Sequence, residues 1–154
     1  MFFLSEDQRA LQEAARRFAQ EQIVPQAQKY DSSADFPLDI INQAYELGFL
    51  NLLTGQDVGG AGLGVLDACV IVEELAAGCA GMATSMVAND LALLPIMIGG
   101  NQEQRQRFIG SVISSKQLAS FCLTEPSAGS DAAGLKTRVR ALAASTFRTR
   151  FGAA

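Results

Sequence analysis

The chain has 154 residues, 49% apolar and 18% charged, the composition of a protein that folds around one domain-sized core rather than a disordered one. A formal net charge of −4, no Trp and two Tyr argue against a nucleic-acid partner, which would ask for a basic face or stacking platforms. The absence of His excludes from this chain a Ser-His-Asp or Cys-His relay, an HExxH zinc site and a histidine proton shuttle.

The opening MFFLSEDQ turns acidic after four residues, unlike a secretory signal or an Arg-rich transit peptide. The expectation is a mature chain that begins at or near residue 1, in an intracellular compartment. Ser5 followed by Gln8 forms a capping-box pattern, and Leu11, Ala14, Ala15, Phe18 and Ile23 recur at helical spacing to about Tyr30, with a candidate kink at Pro25. Pro37 at a first turn, then Ile40, Ile41, Ala44 and Leu47 with Gly48 as a stop, predict a second, shorter helix.

From Gly48 to Gly64 the chain is glycine-rich loop. Its GGAGLG run does not have GxGxxG spacing after a predicted strand and lacks a surrounding βαβ pattern, so it reads as a tight turn between helices rather than a phosphate cradle. From Val65 to Ala77 apolar residues occur nearly all the way round, the pattern of a helix buried on several sides. Glu73 and Glu74 fall on its wetter edge as solvated or capping charges, because adjacent helical residues do not face each other as a catalytic carboxylate pair would.

Met82 to Ile98 is expected to be an apolar helix interrupted at Pro95. Asn101 with Gln104 opens another, with Phe108, Ile109, Val112 and Ile113 on one face. The longest charge-free stretch, between Glu74 and Asp90, is broken by Gly78 and Gly81 and is shorter than the roughly 18 to 20 apolar residues of a membrane span. Cys69, Cys79 and Cys122 are too widely spaced for a CxxC pair and are expected to be reduced thiols buried as small hydrophobes. Five helices thus precede a short strand, Gln117–Leu123, so the architecture is expected to change at about residue 115.

Residues 1–131 carry 16 acids and 7 bases, whereas residues 132–154 carry no acid and five bases. The basic end fits an arm, an amphipathic helix or a strand with a frayed end equally well. Between these regions, Thr124-Glu125-Pro126-Ser127-Ala128-Gly129-Ser130-Asp131 is a turn rich in hydroxyls. Its unpaired backbone N–H groups and the Ser130 hydroxyl suit an anionic oxygen, and the same residues suit an ordinary surface turn.

FCLTEPSAGSDAAGLKT, from Phe121 to Thr137, closely resembles the flavin-binding signature of the acyl-CoA dehydrogenase family, and GGAGLGVLDACVIVEELAAGC, from Gly59 to Cys79, resembles its preceding helical signature. SEDQRALQEAARRFAQEQIVPQA and NQEQRQRF are also similar to that family, most of all to its medium-chain or general members. The resemblance covers about residues 3 to 138. It implies a mainly α fold: the helical N-terminal domain over 1–114, the first one or two strands of an incomplete β-barrel domain over 115–138, and an atypical basic tail over 139–154, where the family's strand pattern is lost as in a truncated or frame-shifted product.

The resemblance further implies FAD as cofactor, with Phe121, Leu123 and Thr124 along the flavin ring and Gly129 and Ser130 at the pyrophosphate or the passing acyl-CoA. Ser130, Met86 and Ala88, with Leu91, would meet the acyl-CoA substrate, whereas Glu125 is a turn-stabilising carboxylate. The family reaction removes an α-proton and a β-hydride from an acyl-CoA to give a trans-2-enoyl-CoA, in fatty acid metabolism, with electrons passing to an electron-transferring flavoprotein. The glutamate base belongs to a C-terminal bundle that is not in this sequence, so no catalytic residue and no metal ligand is assigned. The alternative reading is a catalytically silent helical fragment that acts at most through self-association, as a homo-oligomer or an interaction module.

Overall fold

A computed structural model of the chain describes residues 3–138, which fall into two compact units divided between Phe121 and Cys122. The first unit is helical. Its opening helix α1 (Glu6–Phe18) starts at the expected capping box: Ser5 Oγ accepts from the Gln8 amide at 3.1 Å, and Gln8 Oε1 accepts from the Ser5 amide at 3.0 Å. A π-helical turn, Ala19–Ile23, leads into α2 (Val24–Ser33). Pro25 therefore sits in the first turn of α2, where its missing N–H costs least, and the wider turn before it absorbs the mismatch.

Helix α3 (Leu38–Glu46) buries Ile40, Ile41 and Ala44 and leaves Leu47 exposed at its end, where Gly48 takes φ 76°. The loop that follows folds back on itself. Ala61 N donates to Asn51 O, Gly62 N to Thr54 O and Leu63 N to Leu52 O, at 3.0, 2.8 and 2.8 Å. A Cβ at Gly60 would lie 2.2 Å from Thr54 O, so this close approach admits only glycine.

Helices α4 (Val65–Gly78) and α5 (Ala80–Gly99) form a hairpin joined by Cys79 alone. Gly78 lets α4 approach the π-helical turn, since a Cβ there would meet Ile23 and Ala19 at 3.1 to 3.2 Å. Arg16 of α1 pairs with Glu74 of α4 through Nη2 at 2.6 Å and Nε at 2.9 Å. That fork-like pairing holds the Glu74 carboxyl below its ordinary range and the guanidinium above its own. Short α6 (Gln102–Gln104), a second π-helical turn (Arg105–Gly110) and α7 (Ser111–Ser114) complete the unit behind an Asn101–Gln104 capping box.

The main core joins Phe18, Ile23, Ile40, Ile41, Ile71, Leu75 and Met86, and a smaller one joins Val58, Leu93 and Ile109. Each such side chain contributes about 1.5–3 kcal/mol on burial.

Several expectations are corrected. Pro95 does not interrupt the helix: α5 runs through it, because a single proline removes one hydrogen bond of a twenty-residue helix that both cores hold in place. Cys69 and Cys122 are exposed and Cys79 is half-buried, so the thiols are not all core residues. On α4 the buried side is Ala68, Val70, Ile71 and Leu75, whereas Val65, Leu66 and Cys69 face outward, because α1, the π-helical turn and α5 cover only part of its circumference. Gln117–Leu123 is not a strand, since a strand is defined by a paired neighbour and the described residues offer it none.

By length and apolar content α5 could cross a membrane. Asp90 at its centre is buried and engaged with loop amides, and Met82, Ala83, Met86 and Leu93 of the same helix pack in the two cores of this unit.

In the second unit Glu125 and Ala128 exchange backbone hydrogen bonds of 2.8 and 3.2 Å, and a 3₁₀ turn spans Ala132–Gly134. The basic tail expected over 139–154 lies outside the described residues.

Candidate functional site

Three arrangements in these units have chemical potential. The first is a groove of about 260 Å³ between α4 and α5, lined by Val72, Ala76, Ala83, Val87, Ala88 and Leu91 with Thr84 at its polar edge. Its walls are small or branched apolar side chains, and the Thr84 hydroxyl is turned onto the Ala80 carbonyl at 2.7 Å, so an apolar chain meets no unsatisfied donor there. Of the residues singled out in sequence, Ala88 and Leu91 line this groove. Met86, one residue pair earlier on α5, is turned to the opposite side and is 1% exposed in the main core.

The second is a buried polar chain that sequence reasoning missed. Tyr45 Oη donates to Ile113 O at 3.1 Å and accepts from Asn51 Nδ2 at 3.0 Å. Burial raises the Tyr45 phenol above its ordinary range, partly offset by that Asn51 bond. Asn89, fully buried, donates from Nδ2 to Asn51 Oδ1 and accepts at Oδ1 from the Ala119 amide, at 2.8 and 2.6 Å. Its neighbour Asp90 accepts from the amides of Leu52 and Leu53 at 2.8 and 3.0 Å and from Thr54 Oγ1 at 3.2 Å. The signal was available: an adjacent amide and carboxylate, Asn89-Asp90, stand at the centre of a strongly apolar helix. Its effect is to fix Gln117–Ala119, the segment that leads to Phe121, against α5.

The third lies in the second unit. Leu123 and Thr124 are exposed there, as Phe121 is in the first unit. Among the described residues no hydrogen bond takes up the amides of Gly129 and Ser130 or the Ser130 hydroxyl, and Ser130 is exposed. These free donors suit an anionic oxygen, which is the test a bound pyrophosphate sets. Glu125 points its carboxylate at the returning segment of chain, accepting from the amides of Lys136 and Thr137 at 2.8 Å each and from Thr137 Oγ1. Those bonds, led by the Thr137 hydroxyl, hold the Glu125 carboxyl below its usual range, so it is an anchored acceptor rather than a free base.

Residues 5–116 match the family model for the acyl-CoA dehydrogenase N-terminal domain. The chain is 42% identical over 137 residues to the protein named probable medium-chain specific acyl-CoA dehydrogenase 2, mitochondrial, of Caenorhabditis briggsae, covering 89% of this chain and 34% of that one. It is also 42% identical to the mitochondrial isobutyryl-CoA dehydrogenase of Dictyostelium discoideum, covering 88% of this chain and 32% of the relative. It therefore spans about a third of the length of the curated relatives it matches.

Among solved structures, butyryl-CoA dehydrogenase from Megasphaera elsdenii aligns with a TM-score of 0.78 at 30% identity, over 89% of this chain and 37% of that one. A chain described as the electron transferring flavoprotein of Acidaminococcus fermentans aligns at 0.81 and 31% identity, over 90% and 37%. A glutaryl-CoA dehydrogenase from Mycobacterium smegmatis, solved with FADH2, aligns at 0.79 and 26%, over 91% and 36%. The helical unit thus has the architecture of these dehydrogenases, and the chain belongs to the acyl-CoA dehydrogenase family.

Proposed function

We propose that this chain supplies the acyl-binding groove and the flavin-facing segment of an FAD-dependent acyl-CoA dehydrogenase. The observation that carries the reading is the groove between α4 and α5, an apolar trough with Ala88 and Leu91 in its wall. An acyl chain laid there rests on an apolar wall whose one hydroxyl, Thr84, is already bonded to the Ala80 carbonyl. In the second unit, Gly129 and Ser130 offer the free donors that suit the FAD pyrophosphate or the acyl-CoA beside it, and Leu123 and Thr124 are exposed for the ring, as is Phe121 in the first unit. FAD, when bound, supplies the hydride acceptor for the acyl β-carbon. The part of this chain's residues is to bind and orient, and none of them is assigned the removal of the α-proton.

The relative solved with FADH2 supports FAD as the cofactor, and the neighbour described as an electron transferring flavoprotein supports a flavoprotein as electron partner. The names of the curated relatives support a mitochondrial-type enzyme of acyl-CoA oxidation. The test is a visible absorbance spectrum of the purified chain after incubation with FAD and desalting. A retained flavin band that bleaches on addition of an acyl-CoA supports the reading, and a colourless protein overturns it for this chain.

A second reading, a catalytically silent module that self-associates, is favoured by the outward-facing Val65 and Leu66 of α4 and by Leu94 and Ile98 of α5. A colourless protein whose mass in solution exceeds that of one chain supports it.

A further inference from the structure

The second unit contains a loop whose two arms meet at one side chain. On the outgoing arm the amides of Glu125 and Ala128 are consumed by each other's carbonyls, which makes a tight turn and leaves the Gly129 and Ser130 amides free. The chain then rounds the Asp131–Gly134 turn, closed by Gly134 N donating to Asp131 O at 3.0 Å, and comes back at Lys136 and Thr137. Among the described residues, every hydrogen bond between the outgoing and returning arms runs through the Glu125 carboxylate: one oxygen takes the Lys136 amide, and the other takes the amide and hydroxyl of Thr137. An acidic side chain beside an anion site would ordinarily repel the ligand. Here the described donors to its charge lie on the returning arm, with the Lys136 side chain further favouring the ionised form.

We propose that Glu125 is a positioning residue of the flavin segment: its carboxylate clasps residues 126–135 into a closed loop and thereby holds the Gly129 and Ser130 amides in the arrangement that meets a bound pyrophosphate. The proposal rests on the flavin reading given above and adds to it the residue on which the loop's shape depends. Ionised, Glu125 offers enough acceptor sites for all three donors. Its amide Glu125→Gln keeps one acceptor oxygen, and Glu125→Ala keeps none.

The experiment titrates the full chain and the E125Q and E125A variants with FAD and with riboflavin, which lacks the pyrophosphate, following flavin fluorescence. Amide hydrogen exchange at Lys136 and Thr137 is measured alongside. FAD affinity should fall in the order wild type, E125Q, E125A, with E125A weaker by about tenfold, equivalent to the loss of one charge-assisted hydrogen bond between the loop amides and the pyrophosphate. Riboflavin should show no such order, and the two amides should exchange faster in E125A. FAD bound equally by wild type and E125A, an identical ranking for riboflavin, or unchanged exchange overturns the proposal alone. A wild-type chain that binds neither flavin removes the flavin reading and this proposal with it.

Discussion

Asn89 Nδ2 lies 2.8 Å from Asn51 Oδ1, and Asn51 is a loop residue whose backbone is left-handed, at φ 55°. The two amides serve each other: the helix fixes the loop residue that the backbone alone would disfavour, and the loop residue satisfies a side chain that has no access to water.

Replacing Asn89 with Leu, of similar volume, leaves the Ala119 amide and Asn51 Oδ1 without a buried partner, while Asn51 Nδ2 keeps Tyr45 Oη, and should cost about 3 kcal/mol. Asn51→Ala loses the bonds to Asn89 and to Tyr45 and also keeps a strained left-handed alanine. Asn51→Gly should therefore be more stable than Asn51→Ala by about 1 kcal/mol. Denaturant unfolding of the three variants, followed by circular dichroism, checks both the size and the order.

Asp90 accepts two amides and a hydroxyl within a buried site. Asp90→Asn keeps the shape but turns one acceptor into an NH₂ that faces a donor. The expected loss is about 2–4 kcal/mol, with the helical content retained and the loop from Leu52 to Thr54 made sensitive to protease. Limited proteolysis with mapped cleavage sites reads this directly.

The Arg16–Glu74 pair gives a pH signature. Because the folded state lowers the Glu74 pKa, the pair's stabilisation is fully present above the unfolded value of about 4.3 and is lost as the pH falls through the lower folded value. Glu74→Gln should lower the Tm at neutral pH by a small amount and flatten this part of the acid limb. Tm measured from pH 7 down to about 3 for both proteins tests the sign.

For the groove, Ala88→Phe should fill the space beside Leu91 while disturbing the fold little, since Ala88 is only half-buried and points away from the main core. Binding of long acyl-CoA thioesters should weaken by tenfold or more, about 1.4 kcal/mol, while the shortest thioesters are affected least. Calorimetric titration with an acyl-chain series measures the shift.

Both capping boxes, Ser5–Gln8 and Asn101–Gln104, were legible in the sequence because a cap is a local contract between residues three apart. The ends of α2 and α7 were not, because the left-handed residues that stop them are Ala34 and Lys116 rather than glycine. Cys69 and Leu66 look like core residues in a string of apolar neighbours, but burial depends on which helices arrive beside α4, which periodicity does not encode. Gln117–Leu123 has strand-like residues without a strand, since pairing is a property of two segments. The groove was half visible: Ala88 and Leu91 came from the family resemblance, whereas Val72, Ala76 and Ala83 emerge only once α4 and α5 are laid together.

The single-residue joint at Cys79 makes the two walls of the groove near neighbours along the chain, all drawn from residues 72–91. A trough built by one helical hairpin closes only short loops of chain, so it can take shape early in folding, before distant segments have found their places. Its shape is also adjustable locally: at Ala88 and Leu91, which lie outside the main core, a change of one side chain alters the trough's depth without asking a remote part of the molecule to readjust.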